Sequence, residues 1–155
     1  MDSENRKQMR LMSLMIAGMA KSLHEMFGEA ALAVMSETGR SILEILEREL
    51  GLNIAGKEPA AALAAIGKVF SEDLGFVNSF AVKQEGNRLI VTVQGCHGWD
   101  TTQTVLKMTG LENPFTCPIM NVCQAALIRM GRPARKSISP IPATHGSTIT
   151  FILVE

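Results

Sequence analysis

The chain has 155 residues and a mass of 16.8 kDa, the size of one ordinary domain with room for a real core. Hydrophobic residues make up 46% and charged residues 19%, which excludes a disordered chain. Fifteen basic residues balance fifteen acidic ones, and no glycine run forms GxGxxG or GxxxxGKS/T, so neither a domain-wide nucleic-acid footprint nor a phosphate loop is expected.

The N-terminal half reads as helices. Met9, Met12, Ile16, Met19, Leu23 and Met26 recur at three- and four-residue steps, one apolar stripe on a first helix. Met12, Met19 and Met26 repeat every seven residues, so the stripe suits a helix–helix seam between subunits. Gly28 ends it. A second helix follows to about Leu50, with Ile42, Leu43, Ile45 and Leu46 set against a wet face of Glu44, Glu47, Arg48 and Glu49, and Gly51 as its stop. Lys57 to about Leu74 reads as a third helix with Pro59 in its first turn and a run of close-packing alanines.

The period then changes. Ser79–Gln84 and Arg88–Gln94 are rich in Phe, Val, Ile and Thr, and Glu85-Gly86-Asn87 joins them as a hairpin with Leu89, Val91 and Val93 facing the core. Cys96–Thr109 reads as a loop and a short helix capped by Asp100 or Thr101. A helix from Pro118 to about Met130 stops at Gly131 and Pro133. Lys136–Ile141 and Thr148–Val154 form a second hairpin across Ala143-Thr144-His145-Gly146. The expected fold is α+β: N-terminal helices on a mostly antiparallel sheet of about four strands, in one domain over 1–155. Residues 1–28 form its Met-rich helix and dimerisation element, and 29–155 its ligand-binding core.

The most apolar stretch, Leu11–Ala20, is about half the roughly 20 residues that span a bilayer, so no transmembrane helix is expected. Three cysteines without a secretory leader point to a reducing, cytoplasmic setting with free or metal-bound thiols. Cys117 opens a helix after Asn113-Pro114-Phe115-Thr116, where the helix dipole and unpaired N–H groups favour thiolate. Cys123 follows on that helix, while Cys96 and His97 close a strand. Cys96, Cys117, Cys123 and His97 are thus the candidate metal set, and zinc is the metal that such a set suits. No CxxC is present, and Cys117 and Cys123 lie roughly 240° apart on an ideal helix, so they converge only if Cys117 precedes the helix. Buried inert thiols satisfy the same pattern.

Asn87–Cys96, Cys117-Pro118-Ile119-Met120 and the closing Gly146–Phe151 strand resemble the 4-vinyl-reductase-type domain, a small-molecule or hydrocarbon-binding module. That family shares its fold with TRAPP trafficking subunits and haem-based nitric-oxide-sensing domains. The resemblance implies ligand or metal contacts at Cys96 and Cys117. The family's further cysteines near the last hairpin are replaced here by Pro142, Gly146 and Thr150.

Ten methionines against six phenylalanines, one tryptophan and no tyrosine suit an adaptable pocket, or simply a methionine-filled core. His97 and His145 sit beside glycines as ligands, bases or solvated turn residues, and Trp99 is a pocket wall or a core anchor. Arg129, Arg132, Arg135 and Lys136 form a basic cluster that either pairs with a helix C-terminus or receives an anionic head group at a pocket rim.

The reading taken from the sequence is a non-catalytic domain binding a hydrophobic small molecule or acyl chain at Cys117, Met120, Trp99 and Met19. It is expected to be homodimeric. The alternatives are a redox sensor or thiol hydrolase using Cys117, with His97 or His145 as base, and an assembly subunit dimerising through the methionine seam.

Overall fold

The structure is a computed structural model that describes residues 3–154. Two long helices, α1 (Ser3–Phe27) and α2 (Ala30–Leu50), are joined by a tight turn at Gly28, whose φ of 56° suits glycine. Helix α2 ends as expected, with Gly51 left-handed and its N–H bonded to the Leu46 carbonyl. Pro59 occupies the first turn of α3 (Pro59–Lys68), whose last turn widens into a π-type turn at Val69–Asp73.

Strands β1 (Ser79–Glu85) and β2 (Arg88–Gln94) pair antiparallel, so the hairpin loop is the two residues Gly86-Asn87, with Gly86 at φ 60°. Helix α4 spans Trp99–Thr109 and α5 spans Pro118–Arg129. Strands β3 (Ala134–Ile141) and β4 (Gly146–Leu153) close the fold, each starting two residues earlier than the pattern suggests. The sheet order is β1-β2-β4-β3, antiparallel throughout, with Leu89 opposite Phe151 and Val91 opposite Ile149. The α+β expectation therefore holds, down to the two hairpins joined along β2 and β4.

Leu89, Val91 and Val93 of β2 and Ile149 and Phe151 of β4 are sealed against Leu43, Leu63, Ile66, Ile119, Val122 and Leu127 from α2, α3 and α5. Burying such aliphatic side chains contributes roughly 1.5–3 kcal/mol each before conformational entropy is counted. Helices α2 and α5 approach closely at Gly39, where an added Cβ would stand 2.8 Å from Asn121 Cβ and nearer still to its carbonyl. Arg129 on α5 clamps Glu47 on α2 at 2.5 and 2.6 Å.

A smaller core lies under α1. Ala17 and Ala20 pack with Ala31, Val105 and Phe115, so α1 meets the body through its small residues. Of the expected apolar stripe, Leu23 packs on that core, while Met12, Met19 and Met26 are 60–74% exposed. Alanines permit close backbone approach, and that contact turns the long side chains outward. Helix α4 also departs from expectation. It begins at Trp99 after Gly98, with no side-chain cap, and Asp100 and Thr101 fall within its first turn. No helix among the described residues is long and apolar enough to cross a membrane.

Candidate functional site

The second hairpin turn positions the site. Pro142–Thr144 form one 3-10 turn, and His145 is the described non-glycine residue with positive φ (47°), its N–H bonded to the Pro142 carbonyl at 3.1 Å. This turn docks on the end of β2, where Gly95 N–H donates to Thr144 O and Cys96 N–H to His145 O, both at 2.9 Å. Trp99 stacks on the His145 ring with centroids 5.8 Å apart and planes 10° apart. Strand end, turn and α4 are thereby locked in one arrangement.

Between them lies a cavity of about 130 Å³. Cys96, Trp99, Leu106, Pro114, Cys117 and Ile138 supply much of its predominantly apolar wall, with Thr102, Gln103, Glu112, Pro140, Gly146 and Ser147 completing it. Trp99, Thr102, Gln103 and Leu106 fall at i, i+3, i+4 and i+7 on α4, one helix face turned to the cavity. That spacing was readable in the sequence as the signal for the α4 contribution. The Pro114, Ile138 and Pro140 walls come from distant segments and carry no local signal.

Cys117 is the N-cap of α5, extended at φ −62° and ψ 110°, with Pro118 beginning the helix. The preceding turn is tied by Cys117 N–H to Pro114 O at 3.0 Å. It is tied again from below, because buried Asn121 donates Nδ2 to Phe115 O at 2.8 Å. Cys117 therefore precedes the helix proper, as convergence with its neighbours required.

The electrostatics reverse the expected activation. Burial pushes the Cys117 thiol from 9.0 up to about 11, and nearby Cys96 adds to the rise; the Met120 and Ile119 N–H groups and the Lys136 ammonium only partly oppose it. The residue as a whole keeps partial exposure, yet desolvation of the sulfur outweighs the helix N–H groups. Cys96 is also raised, mainly by burial, against the N–H groups of Gly98 and Trp99. Cys123 is sealed in the main core and is raised furthest. All three are protonated at neutral pH and behave as small apolar walls.

The candidate metal set is not drawn together. Cys96 and Cys117 share the cavity wall, Cys123 is buried in the core, and His97 is exposed and lines a different groove. Among the described residues no three of His, Cys, Asp and Glu form a metal-holding group, so Cys96 and Cys117 fall short of the about four ligands that zinc needs. His145 stacks on Trp99 as described, and neither it nor His97 hydrogen-bonds a thiol among the described contacts.

The groove that His97 lines, about 890 Å³, runs between α1, α2 and the start of α4 and includes Met9, Met12, Ile16, Met35 and Phe76. Thr102 is common to this groove and the cysteine-lined cavity. Met19 stands on the outer side of α1 and lines neither. Met120 is buried and lines a third recess of about 240 Å³, together with Glu112, Asn113, Lys136, Ser137 and Ile138.

The basic cluster is dispersed. Arg129 is committed to Glu47, Arg132 and Arg135 face solvent, and Lys136 is half-buried with its ammonium bonded to Gln124 Oε1. Burial holds Lys136 below the usual lysine range, with Cys117 opposing that shift.

Solved structures of similar shape include a trafficking protein particle complex subunit 3 from Naegleria fowleri, covalently bound to palmitic acid. It is 11% identical over 97% of this chain and 97% of that one, with a TM-score of 0.55. A Cs H-NOX mutant carrying 4-cyano-L-phenylalanine matches at 8% identity over 85% of this chain and 68% of its own, with a TM-score of 0.53. An oxygen-binding H-NOX domain related to soluble guanylate cyclases matches at 10% identity over 85% and 66%, with a TM-score of 0.51. At such identities the likeness is one of fold, and it bears out the fold relationship expected from the sequence. No curated protein matches the chain in sequence. The family label differs from the 4-vinyl-reductase type: over residues 12–154 the chain matches, and so belongs to, the family described as "Putative rubredoxin C-terminal domain".

Proposed function

We propose that the protein is a non-catalytic binding domain for a small hydrophobic molecule, held in the cavity walled by Cys96, Trp99, Leu106, Pro114, Cys117 and Ile138. The observation that carries this reading is that partly open, predominantly apolar cavity of about 130 Å³, furnished with neutral thiols in place of a nucleophile. A cavity of roughly 150 Å³ lined by apolar side chains takes benzene, so a ligand group about the size of one ring fits. The fold neighbours support the reading: one is a subunit carrying palmitic acid and another an oxygen-binding domain. Trp99, the single tryptophan, reports directly on occupancy. Titration with phenylacetamide is expected to change Trp99 emission saturably, and Ile138→Phe, which fills the cavity, to abolish the change. An unaltered emission across the titration, or saturation surviving in a folded Ile138→Phe protein, refutes the site.

A second reading concerns assembly, and a separate observation favours it. Leu11, Met12, Leu14, Met15 and Met19 are each 55–64% exposed on a helix that packs on its own domain chiefly through Ala17, Ala20 and Leu23. A contiguous exposed apolar patch of this kind marks an interaction surface. We propose that a second copy of the chain covers it, antiparallel, along Lys7, Leu11, Leu14, Gly18, Lys21 and Glu25. These residues recur every three or four positions, the spacing of a helix-pair seam. Pairing centred on Ile16 sets Leu14 of each copy over Gly18 of the other, where open space surrounds the glycine. It also sets Lys7 of each copy beside Glu25 of the other, where Glu25 is paired within its own chain by Lys21. Light scattering is expected to show twice the 16.8 kDa chain mass and the monomer mass for Leu14→Glu. A monomeric wild type, or an unchanged dimer in a folded Leu14→Glu variant, removes this seam.

A further inference from the structure

Resting on the cavity reading above, we propose that the ligand carries a carboxylate, and that Lys136 receives it while a ring-sized apolar body fills the cysteine-lined cavity. Lys136 and Ile138 lie on the same side of β3, two residues apart, both partly covered, whereas Arg135, Ser137 and Ser139 are exposed. An inward strand position beside an apolar pocket ordinarily holds an apolar residue; here it holds a cation.

That cation is under-compensated. Among the described residues no carboxylate pairs with Lys136, and the side-chain bond it makes is to the neutral Gln124 Oε1. An ammonium has three protons to donate, and a partly buried charge without a counter-charge costs stability that a bound anion would restore. Desolvation of the amine by its surroundings agrees with this placement.

The geometry links the charge to the cavity. Lys136 lines the 240 Å³ recess with Met120, and Glu112 and Ile138 line both that recess and the 130 Å³ cavity, so the two adjoin. The Lys136 charge is felt at Cys117, on the cavity wall, where it favours the thiolate. An amphiphile with its ring among Trp99, Leu106, Pro114 and Ile138 would thus have its polar end toward the recess. Glu112, the acidic group at this junction, is exposed and opposes an anion; solvent screens it more than the half-buried Lys136. The basic cluster that the sequence offered as a head-group site reduces, on this account, to one residue.

The volume restricts the class. A long acyl chain exceeds this ring-sized cavity and would have to leave it past Thr102 into the larger groove, so the class that fits within the cavity and its recess is an aryl or short-chain monocarboxylate.

The test compares phenylacetate with its neutral isostere phenylacetamide on the full chain, by Trp99 emission and calorimetry. Phenylacetate is expected to bind on the order of tenfold more tightly, the scale of one charge-assisted hydrogen bond. Lys136→Met, which keeps the apolar stem, is expected to erase that preference, bringing phenylacetate to the affinity of phenylacetamide. Glu112→Gln is expected to improve phenylacetate binding alone. Equal affinities in the wild type, or a preference that persists in Lys136→Met, overturn the carboxylate assignment and leave the cavity reading standing. Failure of both compounds to bind overturns the two together.

Discussion

Alkylation of Cys117 gives the sharpest check on the site's electrostatics. An ordinary thiol at 9.0 is about one-tenth ionised at pH 8, whereas one at about 11 is only ~0.1% ionised. Since the thiolate is the reacting form, burial alone should make Cys117 about 100-fold slower toward iodoacetamide than an unstructured cysteine peptide at that pH. Residue-resolved mass spectrometry after timed alkylation separates the three cysteines in the wild-type chain. The Cys117 rate is expected to climb about tenfold per pH unit from pH 7 to 9.5 without levelling, since the midpoint lies above that range. Lys136→Met should slow it further, because the ammonium is one of the groups that favour the thiolate. A rate equal to that of the peptide, or a plateau reached by pH 8, would refute the argument that desolvation dominates the helix N–H groups. It would also return Cys117 to the role of nucleophile.

The same shift has a stability consequence. Because the folded-state value lies above the unfolded one, Cys117 contributes stability that is complete below about pH 9 and lost as pH rises through about 11. Urea midpoints are expected to fall over that window, at no more than about 1.4 kcal/mol per pH unit from this group, and less steeply in Cys117→Ala. Gly39→Ala should destabilise by about 1–3 kcal/mol in thermal or urea unfolding, because the new methyl meets the Asn121 backbone, which cannot move aside as a side chain can. No loss there would mean that α2 and α5 slide freely. Asn121→Leu should cost about 1–3 kcal/mol by leaving the Phe115 carbonyl without its buried donor, and should loosen the Cys117 turn enough to raise proteolysis at residues 112–116. A variant as stable and as protease-resistant as wild type would show that the turn does not depend on this bond.

Much of the architecture was legible because short-range physics sets it. The alternation of Leu89, Val91 and Val93 fixes which side of β2 faces the core whatever lies across from it. Gly51 and Gly131 end their helices because left-handed backbone is open to glycine, and Pro118 starts α5 because its fixed φ suits a first turn. Local pattern was less informative where several segments compete for one space. The methionine stripe of α1 is a sound amphipathic pattern, but it could not tell that Ala17 and Ala20 on another side of the helix fit closest to α4 and α2, leaving Met12, Met19 and Met26 outward. The cysteine at the α5 start carries the expected dipole advantage, yet desolvation outweighs it, and its neighbours on the cavity wall, such as Cys96 and Ile138, come from distant segments.

From the sequence alone came the element order, the two hairpins and the placing of Cys117 just before a helix. These follow from backbone conformational limits and local apolar periodicity, which act over a few residues. Only the tertiary structure decided that Cys96 and Cys117 share one apolar wall while His97 and Cys123 lie elsewhere, and that Lys136 leaves its basic cluster to stand beside that wall. Ligand sets, burial and charge compensation are properties of what the chain brings into contact across long separations. No spacing within one segment encodes them.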